Sequence, residues 1–127
     1  MKKVNEKGGN LKDKKLLDFI TEIIDEKKGN ETKVVDVTKI TTLTNFFIIC
    51  TAGASEHAKA IEEELEKRLK EKKIELLNEE GEGEGKWIVM DYGDFIIHIM
   101  TEDTRKFYNI ERIWQEISPR LKRKLKS

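Results

Sequence analysis

Residues 86–100 constrain the fold more than any other segment, because two short apolar-rich runs flank the pair Tyr92-Gly93. The first run is residues 86–91 and the second is residues 94–100. An X-Gly pair between two such runs is typical of a tight β-hairpin, since glycine accepts the positive φ angle that the turn demands. The segment therefore predicts two antiparallel strands joined by a two-residue loop, with Asp91 opposite Asp94.

This register divides the hairpin side chains between two faces, because cross-strand partners share a face and side chains alternate along each strand. Trp87 would then lie opposite His98. One face is expected to carry a mixed set: Trp87, Val89, Asp91, Asp94, Ile96 and His98. The other is expected to carry only apolar residues: Ile88, Met90, Phe95, Ile97 and Ile99. The apolar set must face the core, so the mixed set predicts a partly exposed surface.

Residue types alone leave three interpretations of the mixed face open. Trp87 and His98 could be a packed pair beneath the C-terminal segment, part of a binding surface, or part of a catalytic site. Asp91 opposite Asp94 would be repulsive unless a cation lay between them, and Arg105 is the nearest candidate in the sequence. The two aspartates could also hold a metal ion, but no further ligand spacing supports that site.

The rest of the chain predicts one α/β domain with a mixed five-stranded sheet flanked by helices. Periodicity indicates helices over about residues 11–28 and from an N-cap at Ser55, and strands over 32–37, 45–51 and from 74 to 77. The unbroken apolar run Phe46–Cys50 predicts a central strand buried on both faces. The second strand, the second helix and the third strand are expected to form a right-handed βαβ unit.

Polar segments are expected to lie around this core. The second helix would bury Ala58, Ile61, Leu65 and Leu69 and expose Glu62, Glu63, Glu64, Glu66, Lys67 and Lys70. Residues 79–86 read as an acidic glycine loop with no anchoring side chain. The predicted domain spans residues 11–118, between a flexible N-terminal tail (1–10) and a basic C-terminal tail (119–127).

Composition limits the classes of partner and compartment. Twenty-five basic and twenty-five acidic residues cancel, so the chain as a whole is not a polycation for nucleic acid. The single cysteine, Cys50, fits a reducing cytosol. No apolar stretch approaches the length of about 20 residues that a membrane span needs. These features predict a soluble cytoplasmic protein.

Other chemical interpretations are weaker. Cys50 lies in a buried apolar run, where cysteine behaves as a small hydrophobe rather than as a nucleophile. His57 is expected at the surface of the second helix. Gly53-Ala54-Ser55 could seat a phosphate at a helix N-terminus but lacks the lysine of a P-loop. The basic residues from Arg120 onward could contact RNA or could form a solvated helix.

The chain resembles the ribosomal silencing factor (Iojap-like) family across about residues 12–117. The motif that carries the resemblance runs from Trp87 through DYGD at 91–94 to His98, Arg105, Tyr108, Glu111 and Trp114. Residues 36–50 and the segment Ser55–Lys59 also resemble the family. The sequence departs from the family pattern at Asn45-Phe46, where an Asp-Tyr pair is common.

The resemblance implies a function that composition does not indicate. Members of the family bind the large ribosomal subunit through the ribosomal protein called L-fourteen on its intersubunit face. They obstruct docking of the small subunit and so repress translation, and some members act in large-subunit assembly. Family members are often homodimers, so a second copy of this chain is another expected partner.

The family fold is related to the nucleotidyltransferases, which makes an enzyme the rival hypothesis. Those enzymes need a Gly-Ser turn followed by paired strand carboxylates for two metal ions. Here Gly53-Ala54-Ser55 is followed by no such pair, so we expect neither catalysis nor a cofactor.

The predicted partner-binding residues follow from the mixed face and from the family motif. Trp87, Val89 and Tyr92 would supply apolar contact area, and Asp91, Asp94 and His98 would supply polar contacts. Arg105 and Tyr108 would either reach the partner or brace the hairpin from behind. A basic ribosomal protein would be complementary in charge to the aspartates. Contact of the basic tail with ribosomal RNA would strengthen binding to the large subunit.

Overall fold

The structure of the protein is a computed structural model that describes residues 11–108. The predicted tails, 1–10 and 119–127, and the end of the predicted domain lie outside the described residues. The elements in chain order are α1 (Leu11–Glu26), β1 (Asn30–Asp36), β2 (Phe46–Ala52), α2 (Ser55–Glu71), β3 (Asn78–Glu80), β4 (Trp87–Asp91), β5 (Phe95–Thr101) and α3 (Glu102–Tyr108). No helix in this part of the chain is long and apolar enough to cross a membrane.

The five strands form one mixed sheet in the order β1-β2-β5-β4-β3, which confirms the predicted α/β class. β2 and β5 are parallel, and the other neighbours are antiparallel. Every residue of β2 is buried, so the prediction of a central strand covered on both faces is also confirmed.

The predicted βαβ unit is wrong in one respect, because the parallel partner of β2 is β5 and not the third strand. β3 lies at the edge and pairs antiparallel with β4. The seven residues of β5 are mostly buried, whereas the three residues of β3 are polar and mostly exposed. An apolar strand stabilises the sheet best at its centre, and a short charged strand suits an edge, where it blocks further strand addition.

The two faces of the sheet are covered differently. On the first, the helix-covered face, strand residues pack against α1 and α2 in one core that includes Ile20, Ile23, Ile61, Leu65, Ile48, Cys50, Ile88, Met90, Ile97 and Ile99. On the other, the second face, the cluster contains Val37, Phe47, Ile49 and Met100, with Val35, Ile40, Trp87 and Ile96 packed against it. No residue of a described helix belongs to this second cluster.

The β4–β5 hairpin forms as predicted, but its turn lies one residue later. Asp91 pairs with Ile96, and the Tyr92 N–H donates to the Phe95 carbonyl at 3.0 Å, so Gly93-Asp94 is the loop. Gly93 has φ +89°, as a type II′ turn requires at its first central position. Sliding the turn by one residue shifts the cross-strand pairing by two, which preserves the division of side chains between the faces.

Two local predictions around α2 and β3 are wrong. Ser55 is the first residue of α2 and not its N-cap; Ala54 occupies the N-cap without a side-chain hydrogen bond. The segment 79–86 is not an unanchored loop, because Glu79 and Glu80 belong to β3 and Gly85 is buried. A Cβ added at Gly81 would lie 1.9 Å from the Trp87 carbonyl oxygen, so glycine permits the close approach of this loop to β4.

Candidate functional site

A row of half-buried side chains crosses the second face on β4 and β5. Burial alternates strictly along β4, so Trp87, Val89 and Asp91 are half-buried while the residues between them face the helices. Ile96 extends the row as the cross-strand partner of Asp91. The structure thus places five of the six side chains of the predicted mixed set on one face, namely these four and His98, which is the cross-strand partner of Val89.

His98 lies on the same face opposite Val89, but unlike the row it is buried. It is 5% exposed, and Trp87 Nε1–H donates to its Nδ1 at 3.1 Å. Phe47 packs edge-on against the imidazole, with 4.8 Å between the ring centroids. The predicted pairing of Trp87 with His98 is wrong in register, because Trp87 pairs with Met100 and His98 with Val89. The two rings meet along the diagonal, where large side chains still reach each other.

The ionisation of His98 follows from its burial. Desolvation lowers its pKa to about 4, so the ring is neutral at physiological pH. Because Nδ1 accepts the indole hydrogen bond, the proton of the neutral ring lies on Nε2. That nitrogen has no hydrogen-bond partner within the described part of the chain. His98 therefore holds the Trp87 indole through a hydrogen bond and offers no exposed polar contact of the kind that was predicted.

The two aspartates do not face each other, and Arg105 does not lie between them. Asp91 Oδ1 accepts the Gly93 N–H at 2.8 Å, and Asp94 is exposed at the loop. Arg105 donates to the carbonyl of Glu31 at 2.6 Å and to Thr51 Oγ1 at 2.7 Å. Thr51 is next to the Met100 end of β5, so the guanidinium lies at the far end of that strand from the aspartates.

Tyr92 does not lie at the hairpin tip, where it was predicted to supply apolar contact area. It is 7% exposed, belongs to the helix-covered core and stacks on Phe95 with 4.9 Å between the ring centroids. The shifted turn explains the error, because Tyr92 continues the alternation of β4 instead of occupying the hairpin tip. Tyr108 is the last described residue and ends α3, and its predicted contact with a partner stays a prediction.

A cluster of carboxylates between α2 and β3 was not predicted. One carboxylate oxygen from each of Glu62, Glu66 and Glu79 lies within 4.8 Å of the others. Glu62 was expected on the solvated face of α2 but is 8% exposed. The sequence signal was the spacing of Glu62, which continues the buried stripe between Ala58 and Leu65.

Burial and neighbouring negative charges change the acidity of this cluster. The pKa of Glu62 is raised to about 8, mainly by desolvation and then by its hydrogen bond with Glu79 and by nearby carboxylates. The pKa of Glu79 is also raised, first by desolvation. At neutral pH, Glu62 is therefore mostly protonated and donates a hydrogen bond to the Glu79 carboxylate.

Cys50 and His57 contribute to the stability of the fold and do not form a catalytic pair. Cys50 is fully buried, as predicted, and burial raises the pKa of its thiol to about 12, so a reactive thiolate does not form at neutral pH. His57 is half-buried: its Nδ1 accepts the Gly53 N–H at 2.9 Å, and its Nε2 lies 2.6 Å from the Lys27 carbonyl. With Nδ1 accepting, Nε2–H donates, so His57 joins the end of α1 to the start of α2.

An open cleft of about 720 Å³ lies at the start of α2, where the parallel strands β2 and β5 end. Gly53, Ser55, Lys86 and Thr101 contribute to its lining. Ligands often bind at this end of parallel strands. Among the described residues that line the cleft, only Glu56 and Asp103 are acidic, and both lie on helices. Neither carboxylate occupies the strand position that two-metal nucleotidyl transfer requires.

Comparison with known proteins supports one family. The family described as "Ribosomal silencing factor during starvation" matches residues 10–127. The ribosomal silencing factor RsfS of Haemophilus influenzae is 35% identical over 99 residues, which cover 78% of this chain and 97% of that protein. The mouse protein named "Mitochondrial assembly of ribosomal large subunit protein 1" is 25% identical over 101 residues, covering 77% of this chain and 44% of that protein.

A solved structure agrees with the sequence match. The crystal structure of a Chromobacterium violaceum protein superposes with a TM-score of 0.77 at 27% identity, covering 80% of this chain and 85% of that one. The match of the family across nearly the whole chain and the shared fold confirm the resemblance found in the sequence. The chain therefore belongs to the ribosomal silencing factor family.

Proposed function

We propose that this protein represses translation by binding the large ribosomal subunit and blocking its joining to the small subunit. The family membership supports a ribosomal partner, and the mouse relative named for large-subunit assembly points to the same subunit. The proposed contact is the ribosomal protein L-fourteen on the intersubunit face. A cytoplasmic, non-enzymatic role as a steric blocker follows from this proposal.

The observation that carries the proposal is the row of half-buried side chains on the second face. Trp87, Val89 and Ile96 present apolar area beside the carboxylate of Asp91. Aromatic residues in such rows often supply most of the binding energy of an interface. The hydrogen bond to His98 fixes the orientation of the indole, so little side-chain entropy would be lost on binding.

Charge at the hairpin tip supports a basic partner. Asp91 is the last residue of β4 and ends the row, and Asp94 is exposed in the loop that follows. Complementary charge at the rim of an interface mainly sets the encounter rate and the orientation of the partners. Asp94 is therefore proposed to steer binding, while Trp87 and Val89 supply affinity.

Co-sedimentation with purified large subunits tests the apolar part of the proposal. Trp87→Ala should weaken binding by about 30-fold or more, and Val89→Ala by about 3- to 10-fold. Val34→Ala is the matched control, because Val34 is 42% exposed on edge strand β1 and its side chain faces away from the second face. Wild-type affinity in Trp87→Ala, with its fold verified by circular dichroism, would refute the site.

Charge reversal tests the polar part. Asp94→Lys should slow association with large subunits several-fold at low salt, and the difference should shrink as salt rises. Glu71→Lys, an exposed reversal at the end of α2, should associate like the wild type. Equal slowing by both variants would mean that net charge, and not this surface, determines the rate.

A subunit-joining experiment separates repression from assembly. A repressor should lower the yield of joined ribosomes when mature subunits are mixed with it, and Trp87→Ala should restore the yield. An assembly factor, favoured by the name of the mouse relative, should bind immature large subunits without lowering the joining of mature ones. Deleting residues 120–127 tests the proposed RNA contact, since loss of that contact should flatten the salt dependence of binding.

The enzyme alternative rests on the cleft at the start of α2. It predicts turnover of a nucleoside triphosphate in the presence of Mg²⁺, and Lys86→Ala in the cleft should abolish that turnover. Absence of turnover together with subunit binding would leave the steric role standing.

A further inference from the structure

The carboxylate cluster between α2 and β3 lies on the helix-covered face, away from the proposed ribosome contact. Glu62 and Glu66 are one turn apart on α2, and Glu79 reaches toward them from β3. Three carboxylate oxygens, one from each residue, are within 4.8 Å of one another. Ligands on opposite sides of a Ca²⁺ ion are separated by about 4.6 to 5.2 Å, which is twice its usual distance to oxygen. The three oxygens could therefore share one ion without a large movement of the backbone.

The hydroxyl of Tyr92 is a second and independent feature of this place. Tyr92 is 7% exposed, and its hydroxyl has no hydrogen-bond partner within residues 11–108. Met90 is the cross-strand partner of Glu79, and Tyr92 follows it two residues later on the same helix-covered face, which brings the phenol near the cluster. Burial raises the pKa of the phenol above its ordinary value, and the charges of Glu66, Glu79 and Glu62 raise it further. Oε2 of Glu79 is also buried without a partner in the same part of the chain. Unpartnered buried oxygens are uncommon and often indicate an ion or a water molecule.

The neighbouring charges that raise the pKa values of Glu62 and Glu79 all come from carboxylates. The pKa of Glu62 is raised by Glu79, Glu66 and Glu63, and the pKa of Glu79 is raised by Glu66 and Glu82. A divalent cation would neutralise this charge and supply a partner for the orphaned oxygens. Hard cations such as Ca²⁺ and Mn²⁺ prefer an all-oxygen set of carboxylate ligands of this kind.

We propose that Glu62, Glu66 and Glu79, with the hydroxyl of Tyr92 beside them, form a binding site for one oxygen-preferring divalent cation. The ion would join the middle of α2 to edge strand β3, the shortest of the described strands. Binding to the folded chain alone would stabilise the fold by mass action. The site is separate from the proposed ribosome contact and does not depend on it.

The test is a titration of the full-length protein, stripped with a chelator, by Mn²⁺ at pH 8.5. Free Mn²⁺ is measured by electron paramagnetic resonance, and Ca²⁺ is then added as a competitor. One saturable site is expected, and its dissociation constant should rise at least tenfold in Glu62→Gln and in Glu66→Gln. Glu71→Gln, an exposed substitution on the same helix, should bind like the wild type. The melting temperature of the wild type should rise with Mn²⁺, and that of Glu62→Gln should not.

Three outcomes decide the proposal. Loss of the site in the two cluster variants, with binding retained in Glu71→Gln, supports it. No saturable binding by the wild type overturns it and leaves Glu62 and Glu79 as a pair that shares a proton. Equal binding by all variants also overturns it, because the ion would then lie elsewhere. Glu66 is only half-buried, so Glu66→Gln keeps the test decisive if Glu62→Gln fails to fold.

Discussion

The two faces of the sheet are built from the same five strands, yet they differ in what covers them and in what their side chains can do. The helix-covered face packs against α1 and α2, and its strand residues are mostly aliphatic and fully buried. The second face has a smaller apolar cluster, and its outer side chains are half-buried. The difference indicates that the first face mainly stabilises the fold, whereas the second is the face on which we propose that a partner binds.

Polar groups occur on both faces but in different settings. On the second face, His98 is buried singly and its ionisation is suppressed by desolvation. On the helix-covered face, the polar groups lie at the margin, where Glu62 meets Glu79 of the edge strand. A buried base and a buried acid respond to pH in opposite directions, so titration can distinguish the two faces.

The largest effect should come from truncating adjacent residues of β5 that point to opposite faces. Ile97 is fully buried on the helix-covered face, whereas Ile96 is half-buried on the second face. Ile97→Ala should lower the free energy of unfolding by about 2 to 5 kcal/mol because it leaves a cavity in a packed core. Ile96→Ala should lower it by about 1 kcal/mol, since its surroundings are partly open. Chemical denaturation measures both, and equal losses would contradict the distinction between the faces.

Acid should destabilise the protein through His98. The folded-state pKa of about 4 lies below the ordinary value of 6.5, so the unfolded chain binds the proton more readily between these values. Stability from this group is present above pH 6.5 and is lost as the pH falls toward 4. At about 1.4 kcal/mol per pH unit, the loss should be about 3 kcal/mol. Unfolding of wild type and His98→Gln at several pH values measures it, and parallel curves would contradict it.

A rise in pH from 4.5 to 8 should destabilise the chelator-treated protein through Glu62. Its pKa in the folded state, about 8, lies above the ordinary value of 4.5, so the folded chain retains a proton that the unfolded chain loses. This contribution is fully present below pH 4.5 and is lost as the pH rises through 8. The loss should be about 2 kcal/mol or more, since one pKa unit corresponds to about 1.4 kcal/mol. Glu62→Gln should remove the decline, and Glu71→Gln should keep it.

The smallest effect concerns the support of the indole. Trp87→Phe removes the N–H that donates to His98 Nδ1, and should lower the free energy of unfolding by about 1 kcal/mol at pH 7. Below pH 4, where His98 is protonated and Nδ1 cannot accept, the hydrogen bond is absent from both proteins and the difference should shrink. Chemical denaturation at the two pH values is the measurement. A pH-independent difference would mean that packing area, and not the hydrogen bond, accounts for the loss.

Much of the fold was predictable because it depends on strong local patterns. The apolar run in β2 and the alternation in β4 specified a central strand and an amphipathic hairpin strand. The division of side chains between the faces survived an error in the turn, because a shift of two residues in pairing preserves alternation. The parallel pairing of β2 with β5 was missed, although the greater length and apolar content of β5 relative to β3 favoured it.

The candidate site was predictable only where the position of a side chain depends on the alternation of its own strand. Alternation placed Trp87, Val89 and Asp91 on the correct face, but it could not show that His98 is covered or that Tyr92 is buried. Those positions depend on packing between distant segments, as does the burial of Glu62 by β3. Its place in an acidic run concealed its contact with Glu79, which is distant in the sequence.

The order of strands in the sheet has a consequence for the biosynthesis of the chain. β5 lies between β2 and β4 but is the last of the five described strands to be translated. Until it emerges, the most apolar strand, β2, can pair only with β1, and its other edge is open to association with other chains. A transcript cut short before codon 101 would therefore yield a product prone to aggregation. Productive folding of this protein must await nearly the whole described sequence, and chaperone capture of shorter nascent chains is the expected result.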